Sequence, residues 1–118
     1  MSINIRTEEM PNNVHVLHVV GRITGGEGAQ ALRDALVGLG ARSPEGRIIL
    51  DLAGVQYIDS TGMGELVSGY IKAQRTGQRI VLSGLSERVR NVLELAKLRS
   101  IFDVYDGVES AKEAVTRL

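Results

Sequence analysis

After its first two strands, this chain alternates strand-like and helix-like segments, and that alternation limits its fold more than any other feature. Residues 48–50 form a short apolar run, typical of a strand buried on both faces. Residues 63–74 instead place apolar side chains at the spacing of an amphipathic helix. Strands that alternate with helices pair in parallel through right-handed crossovers. We therefore predict one α/β domain over residues 1–118, with a mixed sheet of roughly four to five strands, about four helices and the order β-β-α-β-α-β-α-(β)-α.

Residue spacing indicates five candidate strands. Polar and apolar residues alternate at the start of the chain, and residues 14–23 are rich in β-branched side chains. The turn cluster Met10-Pro11-Asn12-Asn13 between these segments predicts an antiparallel pair. The candidate strands are residues 3–8, 14–23, 47–52, 79–83 and, as an edge strand, 101–105.

Capping signals and apolar stripes indicate four helices. Ser86 is expected to cap the third helix, and Asp106 with Glu109 resembles a capping box that opens the fourth. The expected helix ends are Gly40 or the Ser43-Pro44 pair for the first helix and Gly77 for the second. The stripe of the third helix is Val89, Val92, Leu93 and Ala96, and that of the fourth is Val108, Ala111, Val115 and Leu118.

The composition excludes several classes of protein. The chain has no cysteine, which rules out a disulfide framework and a zinc–thiolate site. Its 14 basic residues are balanced by 14 acidic ones, so it lacks the positive charge typical of a nucleic-acid-binding protein. No apolar run has the length of a signal-peptide core or a membrane-spanning helix. We expect a cytoplasmic protein with no cofactor, no direct nucleic-acid contact and no membrane insertion.

A glycine-rich segment lies between the second strand and the first helix, where a phosphate-binding loop would lie. Its glycines are Gly21, Gly25, Gly26 and Gly28. A P-loop needs a Lys-Ser or Lys-Thr pair after the last glycine, and Ala29 and Gln30 follow here. A nucleotide-binding domain is therefore the least favoured hypothesis, and a loop leading into a helix is the simpler interpretation.

Two histidines on the second strand offer no metal or catalytic site by spacing. His15 and His18 are three residues apart, which places them on opposite faces of a strand. We interpret both as ordinary strand residues with no metal bound. A triad that joins either of them to Ser60 has no support from the spacing, so we expect a binding module and not an enzyme.

The segment 59–64 carries most of the functional information. It follows a buried strand and opens the clearest helix, at the edge of an open α/β sheet where ligands and partners bind. Asp59, Ser60 and Thr61 are all residue types that cap helices. Gly62 and Gly64 in the first turn cost about 1–2 kcal/mol of helix propensity, which suggests close approach by a partner. Met63 between them is either a core anchor or an apolar partner contact.

The chain resembles the STAS family, which comprises anti-sigma factor antagonists and related domains of sulfate transporters. The resemblance runs from about residue 3 to residue 118. Its most specific part is residues 48–64, which match an apolar strand, an Asp-Leu pair and the motif Asp-Ser-Ser/Thr/Ala-Gly-Leu/Met-Gly. Residues 89–95 and 98–102 resemble the third helix of the family and its exit.

The resemblance implies a protein-binding switch. A family antagonist binds an anti-sigma factor that is also a serine kinase, and so releases a sigma factor. The kinase phosphorylates the serine after the motif aspartate, which is Ser60 here, with Thr61 as the second choice, and a serine phosphatase resets the complex. The implied partner-binding residues are Thr24, Asp59, Ser60, Thr61, Gly62, Met63 and Gly64.

One departure from the family pattern lies at the end of the second strand. Many antagonists have Gly-Glu-Leu-Asp there, whereas this chain has Gly21-Arg22-Ile23-Thr24. The change removes an acid from the implied partner surface and adds a base nearby. It keeps a second hypothesis open, a non-switching scaffold or adaptor such as a stressosome component or a lipid-transport subunit. The oligomeric state stays open.

Overall fold

Five strands form one sheet in which the spatial order equals the chain order. The structure is a computed structural model that describes residues 3–117. β1 runs antiparallel to β2, and β2 to β5 pair in parallel. The elements are β1 (Asn4–Met10), β2 (Val14–Ile23), α1 (Glu27–Arg42), β3 (Arg47–Ile58), α2 (Ser60–Thr76), β4 (Arg79–Ser83), α3 (Glu87–Leu95), β5 (Val104–Tyr105) and α4 (Val108–Thr116). This is the predicted α/β order.

The hairpin of β1 and β2 closes through two asparagines in the left-handed region. Asn12 has φ 66° and Asn13 has φ 60°, a conformation that asparagine tolerates better than most residues. Met10 then pairs with Val14, and the register continues to Asn4 opposite Val20. The antiparallel pair predicted from the turn cluster is confirmed.

The sheet is covered on both faces. Helices α1, α2 and α3 pack on one face, where Leu17, Leu50 and Leu82 are fully buried. Helix α4 covers part of the other face and places Ala111 and Val115 in a smaller cluster with the alternate strand residues. Burial of both faces explains why the strand segments read as continuous apolar runs. No helix between residues 3 and 117 has both the length and the apolar character to cross a membrane.

Several of the predicted helix caps and helix ends are confirmed. The Ser86 hydroxyl accepts a hydrogen bond from the Val89 amide at 3.2 Å and caps α3. Gly77 ends α2 with φ 85°, in the left-handed region. Of the two stops proposed for α1, the helix passes Gly40 and ends at Arg42, before the Ser43-Pro44 pair.

Five predicted boundaries are wrong. β1 runs from Asn4 to Met10 and not over residues 3–8, because Met10 still pairs with Val14. β3 runs to Ile58 because β2 pairs with it along its length through two register shifts. β5 has only two residues, since the Ile101 amide bonds the Leu98 carbonyl in a turn. α3 ends at Leu95, so Ala96 is exposed. α4 is capped by Gly107, and Ser110 replaces Glu109 in the capping position, while Leu118 lies outside the described residues.

Candidate functional site

The segment 59–64 lies where β3 ends and α2 begins. β2 ends beside it because the two strands are parallel and Ile23 pairs with Ile58. The loop from Thr24 to Gly26, which leads into α1, therefore meets the first turn of α2. The carboxyl ends of parallel strands are the usual position of binding sites in such sheets. The structure thus brings Thr24 to the same edge as the segment 59–64.

The Asp59 carboxylate connects the two segments of the site. Its Oδ1 accepts a hydrogen bond from the Gly62 amide at 2.8 Å, which caps α2. Its Oδ2 accepts one from the Gly25 amide, also at 2.8 Å. The amides of Gly62 and Gly25 lower the pKa of Asp59 below its usual range, because they stabilise the ionised carboxylate. Asp59 is therefore an anchor that is ionised at neutral pH.

Gly62 and Gly64, near the start of α2, differ in the structural reason for a glycine at each position. A Cβ on Gly62 would lie 2.2 Å from the Ile23 carbonyl oxygen, so this residue is small because β2 passes against it. Gly62 is buried, and internal packing rather than partner approach explains it. A Cβ on Gly64 would meet nothing within 4 Å, and this residue is exposed. Nothing inside the domain requires a glycine at position 64.

The side chain of Met63 belongs to the core. It is only 5% exposed and packs in the cluster that lies under α1, α2 and α3. Of the two roles that the sequence left open, the structure assigns the core anchor. Its side chain is not part of the exposed surface.

Ser60 and Thr61 are the exposed hydroxyls of the site. They occupy the first two positions of α2, and the first turn of this helix contains no acidic residue. A Cβ built on Gly25 would lie 3.4 Å from the Thr61 hydroxyl oxygen, so Thr61 borders the loop. The amide groups at a helix N-terminus and the helix dipole favour negative charge there. Ser60 is thus a hydroxyl at a position that tolerates an anion.

The departure at the end of β2 leaves a basic residue beside the site. The Arg22 guanidinium lies over the Tyr57 ring, with its carbon 5.0 Å from the ring centroid. This is the geometry of a cation–π contact. The Thr24 carbonyl accepts a hydrogen bond from the Ala29 amide at 2.8 Å, at the start of α1. Arg22 is exposed, so its positive charge remains accessible at this edge.

The glycine-rich segment is shorter than predicted and makes internal contacts. Helix α1 already begins at Glu27, so Gly28 is helical. A Cβ on Gly28 would lie 2.5 Å from the Arg22 carbonyl oxygen, which explains that glycine by close packing. Gly26 caps the helix with φ 86°. The Gly25 amide already donates to the Asp59 carboxylate, so this amide is not free to bind a phosphate.

Sequence reasoning missed the contacts of His18. Its Nδ1 lies 2.7 Å from Asp51 Oδ2 and its Nε2 lies 2.9 Å from Glu8 Oε1. The two acids come from neighbouring strands, so sequence spacing alone gave no signal. His15 instead is buried and faces Asn13. The hydrogen-bond partners of the two histidines are Asn13, Asp51 and Glu8 and do not include Ser60. Residues 3–117 hold no group of three or more side chains suited to a metal ion.

Comparisons with known proteins agree on one family. A family profile described as the STAS domain matches residues 4–111. The anti-sigma-B factor antagonist of Bacillus subtilis (strain 168) is 32% identical over 104 residues, which cover 88% of this chain and 92% of that protein.

Solved structures show the same fold. An anti-sigma factor antagonist from Mycobacterium paratuberculosis is 29% identical with a TM-score of 0.81, covering 98% of this chain and 96% of that one. The Bacillus cell fate determinant SpoIIAA in its phosphorylated form is 17% identical, with a TM-score of 0.73 and coverage of 95% and 99%. The profile match and the Bacillus relative together place this chain in the STAS domain family, among the anti-sigma factor antagonists, which are regulatory binding proteins and not enzymes.

Proposed function

We propose that this protein binds an anti-sigma factor through the surface around Ser60, and that phosphorylation of Ser60 ends the binding. The observation that carries the proposal is the exposed Ser60 hydroxyl at the first position of α2. Asp59, directly before it, is fixed by two hydrogen bonds of 2.8 Å, so the hydroxyl is presented on an ordered turn. The partner is an anti-sigma factor with serine kinase activity, and a serine phosphatase restores the unmodified form.

The proposed binding surface consists of the exposed parts of the site. Ser60, Thr61 and Gly64 lie on the first turns of α2, and Thr24 lies on the adjoining loop. Gly64 adds no side chain, and the space next to it is open. A partner backbone that approaches this turn therefore meets no obstacle. The glycine cost at this position, about 1 kcal/mol, then has a purpose in binding.

The fold itself accommodates a phosphate at Ser60. A phosphoserine adds about −1.5 to −2 charges at neutral pH. At the start of α2 this charge meets the positive end of the helix dipole, which offsets repulsion from the neighbouring Asp59 carboxylate. A STAS protein of the same fold has been solved in a phosphorylated form. We therefore expect the phosphate to act on the partner and not on the folding of the domain.

At the interface the same charge is unfavourable. A buried phosphate without a basic partner, or one that faces an acid, costs several kcal/mol. A change of about 5.5 kcal/mol moves a two-state equilibrium from nearly full to nearly empty. A local modification of Ser60 therefore supplies enough free energy to switch binding without a change of fold.

The first test is phosphosite mapping by mass spectrometry on the protein isolated from its native cells under several growth conditions. The proposal predicts a phosphate on Ser60 whose occupancy changes with conditions. Calorimetry with the anti-sigma factor kinase of the same organism then compares the wild type with Ser60→Asp and with Ser60→Ala. We expect Ser60→Asp to bind much more weakly, and Ser60→Ala to bind but resist phosphorylation. Equal binding by the wild type and Ser60→Asp would contradict the switch.

The Thr24 departure favours a second candidate function, a scaffold or adaptor without a switch. Thr24 replaces the acid of many antagonists, and Arg22 leaves a positive charge at the same edge. Absence of phosphate under every growth condition supports this candidate. Light scattering coupled to size-exclusion chromatography distinguishes it further, since a scaffold is expected to elute in a large assembly.

A further inference from the structure

An apolar groove lies between α1 and α2, and its lining along α2 extends from Glu65 to Thr76. Its volume is about 300 Å³, at the lower end of the range for small-molecule sites. Ile48 and Ile80 from neighbouring parallel strands line it, and Leu36 of α1 lies along its wall. These three side chains are at most 8% exposed, so core packing holds them in place at the base of the groove.

Two glycines shape the groove. At Gly69 the helices touch, because a Cβ there would lie 2.6 Å from the Leu36 Cδ1 atom. At Gly40 a Cβ would lie 3.8 Å from the Gln78 Oε1 atom, so this end of the groove stays open. The groove is lined by residues 33–40 of α1 and residues 65–76 of α2. Its volume of about 300 Å³ suits a small molecule.

The polar groups around the groove are asymmetric. Arg33 and Glu65 form an ion pair of 3.1 Å beside the helix contact and neutralise one another. Lys72 lines the groove and is exposed, and no acid within residues 3–117 pairs with it. The Gln78 amide already donates to the Ser43 carbonyl at 2.9 Å. The uncompensated charge of the groove is thus a single positive one.

This groove is separate from the proposed phosphorylation site. Ser60 and Lys72 lie twelve positions apart on the same helix, which corresponds to roughly 18 Å of helix. Ser60 lies at the carboxyl ends of the strands, whereas Ile48 and Ile80 lie near the beginnings of theirs. A head group beside Lys72 therefore lies well away from Ser60, whereas the other end of the groove, at Glu65, is five positions from it.

We propose that the groove binds a small amphiphilic anion, a medium-chain carboxylate whose hydrocarbon chain lies on Ile48 and Ile80 and whose head group pairs with Lys72. The apolar walls favour the hydrocarbon, and the unpaired ammonium selects an anionic head group over a neutral or cationic one. The 300 Å³ volume limits the ligand to a short chain.

The test is an NMR titration of the ¹⁵N-labelled full chain with three probes of equal chain length: octanoate, 1-octanol and octylammonium. We expect octanoate to shift the amide signals of residues 36, 48 and 80 and to bind about fivefold more tightly than 1-octanol, as an exposed ion pair allows. Octylammonium is expected to bind most weakly. Equal affinities for octanoate and 1-octanol, or no shifts at these residues, overturn the proposal.

Matched variants locate the site. Gly40→Leu places a side chain in the groove, and Ala41→Leu adds the same group at an exposed neighbouring position outside it. Lys72→Gln removes the charge, and Arg75→Gln removes an exposed charge one turn away. We expect Gly40→Leu to abolish binding and Lys72→Gln to remove the preference for octanoate, while both controls behave as wild type. Unchanged binding in Gly40→Leu, with its fold confirmed by its NMR spectrum, overturns the assignment.

Discussion

The imidazole of His18 and the carboxylate of Asp51 lie side by side on adjacent parallel strands, 2.7 Å apart. On the other side of the ring, Glu8 of the edge strand β1 is 2.9 Å from Nε2. Each ring nitrogen of His18 faces a carboxylate oxygen of a different strand. His18 thus joins three strands through one imidazole ring.

Replacing His18 by leucine is expected to destabilise the protein by about 1–3 kcal/mol, because Asp51 and Glu8 lose their donor. Urea denaturation near pH 6 measures this change. His15→Leu is the matched control, since its Nδ1 is buried without a hydrogen-bond partner and an apolar replacement removes that defect. We expect His15→Leu to cost less than His18→Leu. A larger loss for His15→Leu would contradict the role given to the His18 contacts.

Glu8 should contribute to stability in a pH-dependent manner. The hydrogen bond from His18 lowers the pKa of Glu8 below its usual value. A carboxyl whose pKa is lower in the folded state stabilises the fold above its unfolded pKa, about 4.3. That contribution disappears as the pH falls through the folded value. Denaturation midpoints at pH 6 and pH 3 should therefore differ less for Glu8→Gln than for wild type, with the neighbouring Glu9→Gln as control.

Removing the Asp59 carboxylate should destabilise both the start of α2 and the loop before α1. Asp59→Ala loses the cap of α2 and the bond to the Gly25 amide, and we expect a loss of about 2 kcal/mol at neutral pH. Because the pKa of Asp59 is lowered, the difference from wild type should shrink as the pH falls below about 3.9. Thermal unfolding checks both points, and Asp106→Ala, an exposed acid elsewhere, provides the comparison.

Substitution by alanine should lower the stability of the protein at Gly62 and raise it at Gly64. Gly62→Ala places a methyl group 2.2 Å from a backbone carbonyl, and we expect a loss of about 3 kcal/mol. Gly64→Ala meets open space and should stabilise α2 by up to about 1 kcal/mol. If the space at residue 64 serves a partner, Gly64→Ala should also weaken binding to the anti-sigma factor. Denaturation and calorimetry on both variants separate the two effects.

Local signals predicted the parts of the fold that depend on neighbours in sequence. The bounds of β2 and β4, the Ser86 cap and the Gly77 stop follow from turn and capping chemistry within a few residues. The length of β3 does not follow from such local signals, because it depends on how far β2 extends beside it. Register between strands also places His18 against Asp51, and no spacing along the chain encodes that pair.

The sequence predicted where the candidate site lies, but it explained only some of the residues found there. The motif located Ser60 at a helix start, and the structure confirms that placement. The reason for Gly62 is different from the predicted one, since the Ile23 carbonyl approaches it from a distant strand. The second bond of Asp59, to Gly25, likewise depends on tertiary contact between loops that are 34 residues apart.

The two oxygens of the Asp59 carboxylate bind different segments, and this affects how the sequences of such proteins can diverge. One oxygen holds the helix that presents Ser60, and the other holds the loop that begins at Thr24. The bond to the loop reaches a backbone amide, which every residue type except proline provides. Side chains along the loop can therefore change over evolution without moving the hydroxyl. The sequence of the loop and the position of the Ser60 hydroxyl are thus free to evolve independently of one another.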